Sequence, residues 1–253
     1  MEMFKQQTPF DVTIIDSSGT FLGVMEFSTV SELCRHIRHH GLPEGQAFCL
    51  AGLDLRGGYL RQAQLAGADM TKCNLEGVCL SGADLTGANL EDANLNGCSL
   101  KGAGLRGALL RRARLVGAGM WWADLEGTDL EEADLRHANL NGACMEGANM
   151  SGADLGAAAL AWTDFEGTNL EGASLCDAYA RGSFFRGADM RGADISGAFL
   201  DGADFRTAHL AGTRIDKADM RGVHVVSAQL RGTEGTPAVA PPVMAEHAER
   251  SAP

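Results

Sequence analysis

The chain has few of the side chains that fill ordinary globular cores. Of its 253 residues only 3 are Trp and 2 are Tyr, aromatics amount to 6%, and there are 6 Pro. So small a supply of bulky residues argues against a conventional enzyme domain. Cations are scarce too: 21 Lys and Arg stand against 33 Asp and Glu, a net charge of -12. This disfavours nucleic acid and anionic membranes as direct partners, and a charged partner is expected to be basic. No apolar run approaches the ~20 residues of a membrane span. The opening MEMFKQQTPFDVTII has no basic segment leading into an apolar one, so the expected location is the cytoplasm. The seven cysteines, Cys34, Cys49, Cys73, Cys79, Cys98, Cys144 and Cys176, are scattered without a CxxC pair. They are expected to be reduced thiols rather than disulfides or zinc ligands.

What the chain does have is glycine, 33 of them, and a period. Every fifth residue from Leu50 to Leu230 is apolar, 37 positions in all, and Ala180 alone among them is small. Two residues before each sits a small residue, as at Ala83, Ala88 and Ala93. Two residues after usually sits Gly, as at Gly82, Gly87 and Gly97, and Asp or Asn recurs between the small and large positions, as at Asp84 and Asn89. A period of five fits neither the 3.6-residue helix nor the two-residue strand. It fits short extended pieces joined by turns, with Ala and Leu pointing inward and Asx outward. One such unit cannot bury its Leu alone, so the units must stack into a solenoid.

The run ADLTGANLEDANLNG, residues 83–97, resembles the pentapeptide-repeat family, and the likeness extends from residue 50 to about 232. The resemblance implies an all-β solenoid, a right-handed quadrilateral β-helix with four pentapeptides per coil. Phe165, Phe185 and Phe205 recur every twenty residues, as do Ile195 and Ile215, which supports the same coil independently. About nine coils, at ~4.8 Å each, would make a rod roughly 43 Å long.

The ends do not repeat. Residues 1–47 read as a β-hairpin (Asp11–Asp16 and Thr20–Phe27 about Ser17-Ser18-Gly19) and a short helix opened by a Thr29/Glu32 capping box and ending near Gly41. This unit is expected either to cap the first coil or to act as a recognition module. Residues 233–253, with Pro237, Pro241 and Pro242, read as a disordered tail. Gyrase-binding members of the family are expected, by resemblance, to dimerise through an apolar C-terminal segment. This tail departs from that pattern, and only Val223, Val225 and Val226 remain for end-to-end pairing of a homodimer.

No catalytic residue, cofactor site or metal site is expected. The GxGxxG run Gly102–Gly107 is in register with the repeat and precedes no helix, so it is no dinucleotide fingerprint. His36 and His40 have helical i, i+4 spacing, but no third ligand accompanies them.

The outer surface is more informative. Let the four sides be named first to fourth by their core residues Leu50, Leu55, Leu60 and Leu65. Between residues 116 and 178 twelve acids face one base, Arg136. Asp124, Glu126, Glu146, Asp164 and Glu166 fall on the fourth side, and Asp129, Glu131, Glu132 and Glu171 on the adjoining first side. Over that length, roughly 14 Å, duplex DNA carries about eight charges. By resemblance the chain is therefore expected to be a duplex-DNA mimic that binds gyrase or another type II topoisomerase and protects or inhibits it. The third side differs. It carries Tyr59, Trp121, Trp122, Trp162, Tyr179 and Phe199, among small residues such as Ala159 and Ala161. Aromatics gathered on a nearly uncharged face suggest an interface centre, so the alternative expectation is a scaffold that holds a protein partner, or a second copy, on that side.

Overall fold

The computed structural model describes residues 9–16, 18–230 and 232–239. From Cys49 onward the chain winds as a four-sided solenoid in which the residue preceding a core position forms, with His209 an exception, a parallel bridge with the residue twenty positions later, as in Tyr59↔Cys79, Asp84↔Gly104 and Asp124↔Cys144. Turns follow every five residues, so each side contributes one bridge per coil and no long strand forms.

The backbone of residues 83–87 shows why the repeat has its composition. Ala83 N–H donates to Leu80 O (2.9 Å) and closes a turn. Asp84 N–H reaches Ala63 O in the preceding coil (2.9 Å), while Leu85 and Gly87 donate to Gly104 O (2.7 Å) and Arg106 O (2.9 Å) in the next. The fifth donor, Thr86 N–H, is taken by the Asp84 side chain at 3.0 Å. Every amide is thus paired. The recurrent Asx is a backbone cap as well as a polar surface residue, and Gly87 sits at φ 63° because the third position of a type II turn demands a positive φ.

The interior is a stack of identical positions. Phe165, Phe185 and Phe205 lie ring on ring at 4.8 and 4.6 Å, one coil apart each. Where Thr, Ser or Cys replaces the small Ala, its side chain donates to a core carbonyl 23 residues earlier: Thr163 to Leu140 O and Cys73 to Leu50 O, both at 2.8 Å. Burial pushes the thiols of Cys73 and Cys98 up to about 12, and all seven cysteines are free. Ala180 is fully buried, and the turn after it is loosened, with Ser183 N–H 3.3 Å from Ala180 O.

At the N-terminal end, β1 (Phe10–Asp16), β2 (Phe21–Phe27) and β3 (Gln46–Cys49) form an antiparallel sheet in the order β2-β1-β3. β3 is absent from the sequence expectation, because QAFC is too short to show a pattern. It joins the two parts: Cys49 pairs with Thr13 on one edge and with Asp69 of the next coil on the other. The hairpin therefore extends the first side of the solenoid. Helix α1 (Val30–His39) starts at Thr29, whose Oγ1 accepts from Glu32 N–H at 3.1 Å. Its buried face of Leu33, Cys34 and Ile37 lies over the open coil. The contact is so close that a Cβ at Gly58 would stand 2.9 Å from Cys34 Sγ.

The C-terminal end corrects two expectations. The last pentapeptide leaves the repeat and forms a helical turn, α2 (Ser227–Leu230). There the Gln229 side-chain amide donates to Phe205 O (3.0 Å) and Ala208 O (2.6 Å), two carbonyls one coil back. Residues 233–239, read as the start of a free tail, instead continue the winding, with bridges Arg214↔Glu234 and Asp219↔Val239; the rest of that tail lies outside the described residues. Val223 and Val225 are buried, leaving Val226 as the exposed member of the trio. Among the described residues no helix is long and apolar enough to cross a membrane.

Candidate functional site

The bridge columns order the outward residues that precede each core position. Asp124, Cys144 and Asp164 stack on the fourth side, and Asp129, Asn149 and Asn169 on the first. Asp124, Asp129 and Asp164 each commit one oxygen to the amide two residues on, at 3.2, 3.2 and 3.0 Å. The acidic stretch is also closed at both ends by arginines that a count over residues 116–178 leaves out. Arg106 pairs with Asp124 (3.2 Å) and Glu126, and Arg111 with Asp129 (3.4 Å) and Glu131 (2.6 Å). From the other end Arg186 holds Glu166 (3.4 Å) and Arg191 holds Glu171 (3.0 Å). Among the described residues, only Glu132, Glu146 and Asp164 of the nine have no cation within ion-pair distance. Among the described residues the one cluster with metal-ligand geometry is Asp124, Glu126 and Cys144; its two carboxylates are held by the Arg106 guanidinium, and burial raises the Cys144 thiol.

Arginine also recurs two residues after an aspartate. Arg56, Arg136, Arg191, Arg206 and Arg221 chelate Asp54, Asp134, Asp189, Asp204 and Asp219 at 2.6–2.8 Å. Side-chain hydrogen bonds from these guanidiniums lower all five carboxyls from their ordinary value. Sequence reading missed this D-x-R chelate, although its spacing was visible.

The third side is built differently. Tyr59, Cys79, Ser99, Gly119, Asn139, Ala159, Tyr179, Phe199 and Asp219 form one bridge column, in which seven of nine positions lack the capping Asx. Trp122 and Trp162 occupy the left-handed turn position, which is mostly glycine but also holds polar residues such as Gln62, Lys72 and Glu132, at φ 61° and 60°, and are 69% and 61% exposed. A bulky residue there carries a backbone cost of about 1–2 kcal/mol. Each indole leans over a glycine of the next coil: a Cβ at Gly142 would stand 2.7 Å from Trp122 Cζ3, and one at Gly182 2.7 Å from Trp162 Cζ3. Trp121 is half-buried against Gly119, with Lys101 Nζ 5.7 Å from its ring. Tyr179 and Phe199 stack in the open at 5.1 Å, and Arg38 of α1 covers Tyr59 at 4.9 Å.

Comparison with known proteins follows the same repeat. Residues 49–87, 88–120, 120–156, 153–192 and 188–225 match the family described as pentapeptide repeats, in eight copies. Among curated proteins no sequence matches. Among solved structures the chain is similar to HetL, a pentapeptide repeat protein involved in heterocyst differentiation regulation in the cyanobacterium Nostoc: identity is 31% over 80% of this chain and 93% of HetL, with a TM-score of 0.38. QnrB1, a plasmid-mediated fluoroquinolone resistance protein, is 20% identical over 78% of this chain and 97% of its own, at a TM-score of 0.47. A pentapeptide repeat protein from the thylakoid lumen of Arabidopsis thaliana is 23% identical over 65% and 82%, at 0.20.

Proposed function

Because this chain belongs to the pentapeptide-repeat family, we propose that it is a non-enzymatic binding solenoid that docks a protein partner on its aromatic third side. One observation carries this reading: two tryptophans stand at strained, glycine-type turn positions, each seated on a glycine and still more than half exposed. Strained, exposed aromatics on a rigid frame contribute little to the fold and much to an interface, where such residues commonly supply on the order of 2 kcal/mol or more each. Trp122→Ser with Trp162→Ser keeps that backbone cost and removes only the partial burial of each indole, so it should lower the melting temperature modestly and leave the protein folded. The test is site-directed photo-crosslinking in cells, with the reactive side chain at Trp162 or at Glu132. A discrete crosslinked product is expected from Trp162 and none from Glu132. Products from Glu132 alone, or a partner still captured at full yield by the double Ser variant, would overturn the reading.

A second reading, duplex-like charge presented to a DNA-binding protein such as gyrase, is favoured by the three uncompensated carboxylates Glu132, Glu146 and Asp164 on adjoining sides. The arginine closures weaken it. They also rule out reversing Glu126, Glu131 or Glu166 as a clean test, since each is held by an arginine. Gyrase supercoiling with the purified protein and its Glu132→Lys/Glu146→Lys variant tests it. Inhibition that the variant loses supports charge mimicry; supercoiling unaffected by the parent protein ends it.

A further inference from the structure

On the N-terminal half of the third side lies a groove of about 390 Å³, walled by Tyr59, Arg61, Lys101 and Trp122 and floored by Gly82 and Gly102. We propose that it binds an extended acidic peptide segment carrying an aromatic side chain. This rests on the reading of the third side as a docking face and names the chemistry of what docks there.

Arg61 stands where the D-x-R arginines stand, but the residue two before it is Tyr59, not Asp. Arg56, Arg136, Arg191, Arg206 and Arg221 are each held by their aspartate, whereas among the described residues neither Arg61 nor Lys101 has a carboxylate within ion-pair distance. In a chain of net charge -12, the third side from residue 59 to 122 bears two cations and no acid. Arg38 of α1 adds a third cation beside Tyr59.

The backbone tells the same story. With Tyr59, Cys79, Ser99 and Gly119 in the Asx position, the amides of Arg61, Ser81, Lys101 and Trp121 have no acceptor within the described chain, while the equivalent amides of Thr86, Glu126 and Glu166 are capped. The column of donors therefore repeats at the coil rise of ~4.8 Å beside the two cations. Acceptors spread along an extended chain match such a column, and carboxylates on it match Arg61 and Lys101, two coils or ~10 Å apart. Tyr59 and Trp122 offer a ring at each end for an aromatic residue of the peptide. Cations this far apart suit separated carboxylates better than the dense charge of a polyphosphate.

The experiment uses the full chain and a fluorescein-labelled decapeptide of glutamates with one central Trp, read by fluorescence polarisation. Binding is expected to weaken as salt rises, and to weaken at least tenfold when the glutamates become Gln or the Trp becomes Ala. Arg61→Glu with Lys101→Glu should lower affinity at least tenfold. Tyr59→Asp should do the same by rebuilding the chelate on Arg61 and capping its amide, and because it restores the repeat it should fold at least as well as the parent. Equal binding of the Gln peptide, or full affinity in Tyr59→Asp, overturns the proposal. So does tighter competition by ATP, or a self-association that the Arg61/Lys101 reversal abolishes, since the occupant would then be a nucleotide or a second copy. Trp162 lies outside the groove. A failure of the crosslinking test at Trp162 with peptide binding intact therefore condemns the wider docking face, and the reverse outcome condemns only the groove.

Discussion

The third side and the other three are made by one backbone, yet they present opposite surfaces. On the first and second sides most turns carry Asx, and on the fourth every second one does; this Asx caps the amide two residues on and often holds an arginine across the turn or from the next coil. Those sides are acidic in sequence and partly compensated by arginine. On the third side the cap is mostly missing, and aromatics, cations and unpaired amides take its place. One position in five thus sets both the local hydrogen bonding and the character of a whole face, because stacking repeats that choice at every coil.

Three perturbations break or sharpen this contrast. The largest effect is expected inside, where all sides share one core. Phe185→Ala removes the middle ring of the Phe165–Phe205 stack and should cost about 3–5 kcal/mol in urea unfolding, a loss set by the core and independent of the faces outside it. Next is Gly142→Ala. It places a methyl group against the Trp122 indole at a φ of 67°, and should cost about 2 kcal/mol. In a Trp122→Gly background the same change should cost only the backbone term, about 1 kcal/mol. A cycle without this coupling would show that the indole does not rest on the glycine.

The smallest effect concerns a capped side. Asp204 is nearly buried, accepts from Arg206 at 2.6 Å and lies 3.6 Å from Arg186. Its hydrogen bond from Arg206 lowers its carboxyl below the ordinary value of 3.8. A depressed carboxyl stabilises the fold above its unfolded value, and that contribution is lost as pH falls through the folded one. Asp204→Asn keeps an oxygen for the Arg206 amide and removes only the charge. It should therefore melt lower by about 1 kcal/mol at pH 7, with the difference fading as pH drops below about 4. A gap that persists unchanged at pH 2 would assign the loss to packing instead.

Much of this was legible beforehand because a strict period leaves little freedom. The apolar residue every fifth position, the glycine two later and the phenylalanines twenty apart determine the coil and which residues share a side. Even the missing caps at Tyr59, Cys79 and Ser99 are visible once the coil length is known. β3 and α2 were not, since four residues of either carry no periodic signal and their form depends on the open coil ends they cover. The winding of residues 233–239 onto the last coil was hidden by prolines that read as a tail.

Sequence by itself therefore determined the solenoid, its four sides and the membership of each face, because stacking converts spacing directly into position. Tertiary structure alone decided how much of the negative charge is left open, since Arg106, Arg111, Arg186 and Arg191 neutralise acids about twenty residues away by reaching across coils. It also decided how Trp122 and Trp162 sit on that face: each occupies a left-handed turn position and lays its indole over the glycine of the coil that follows.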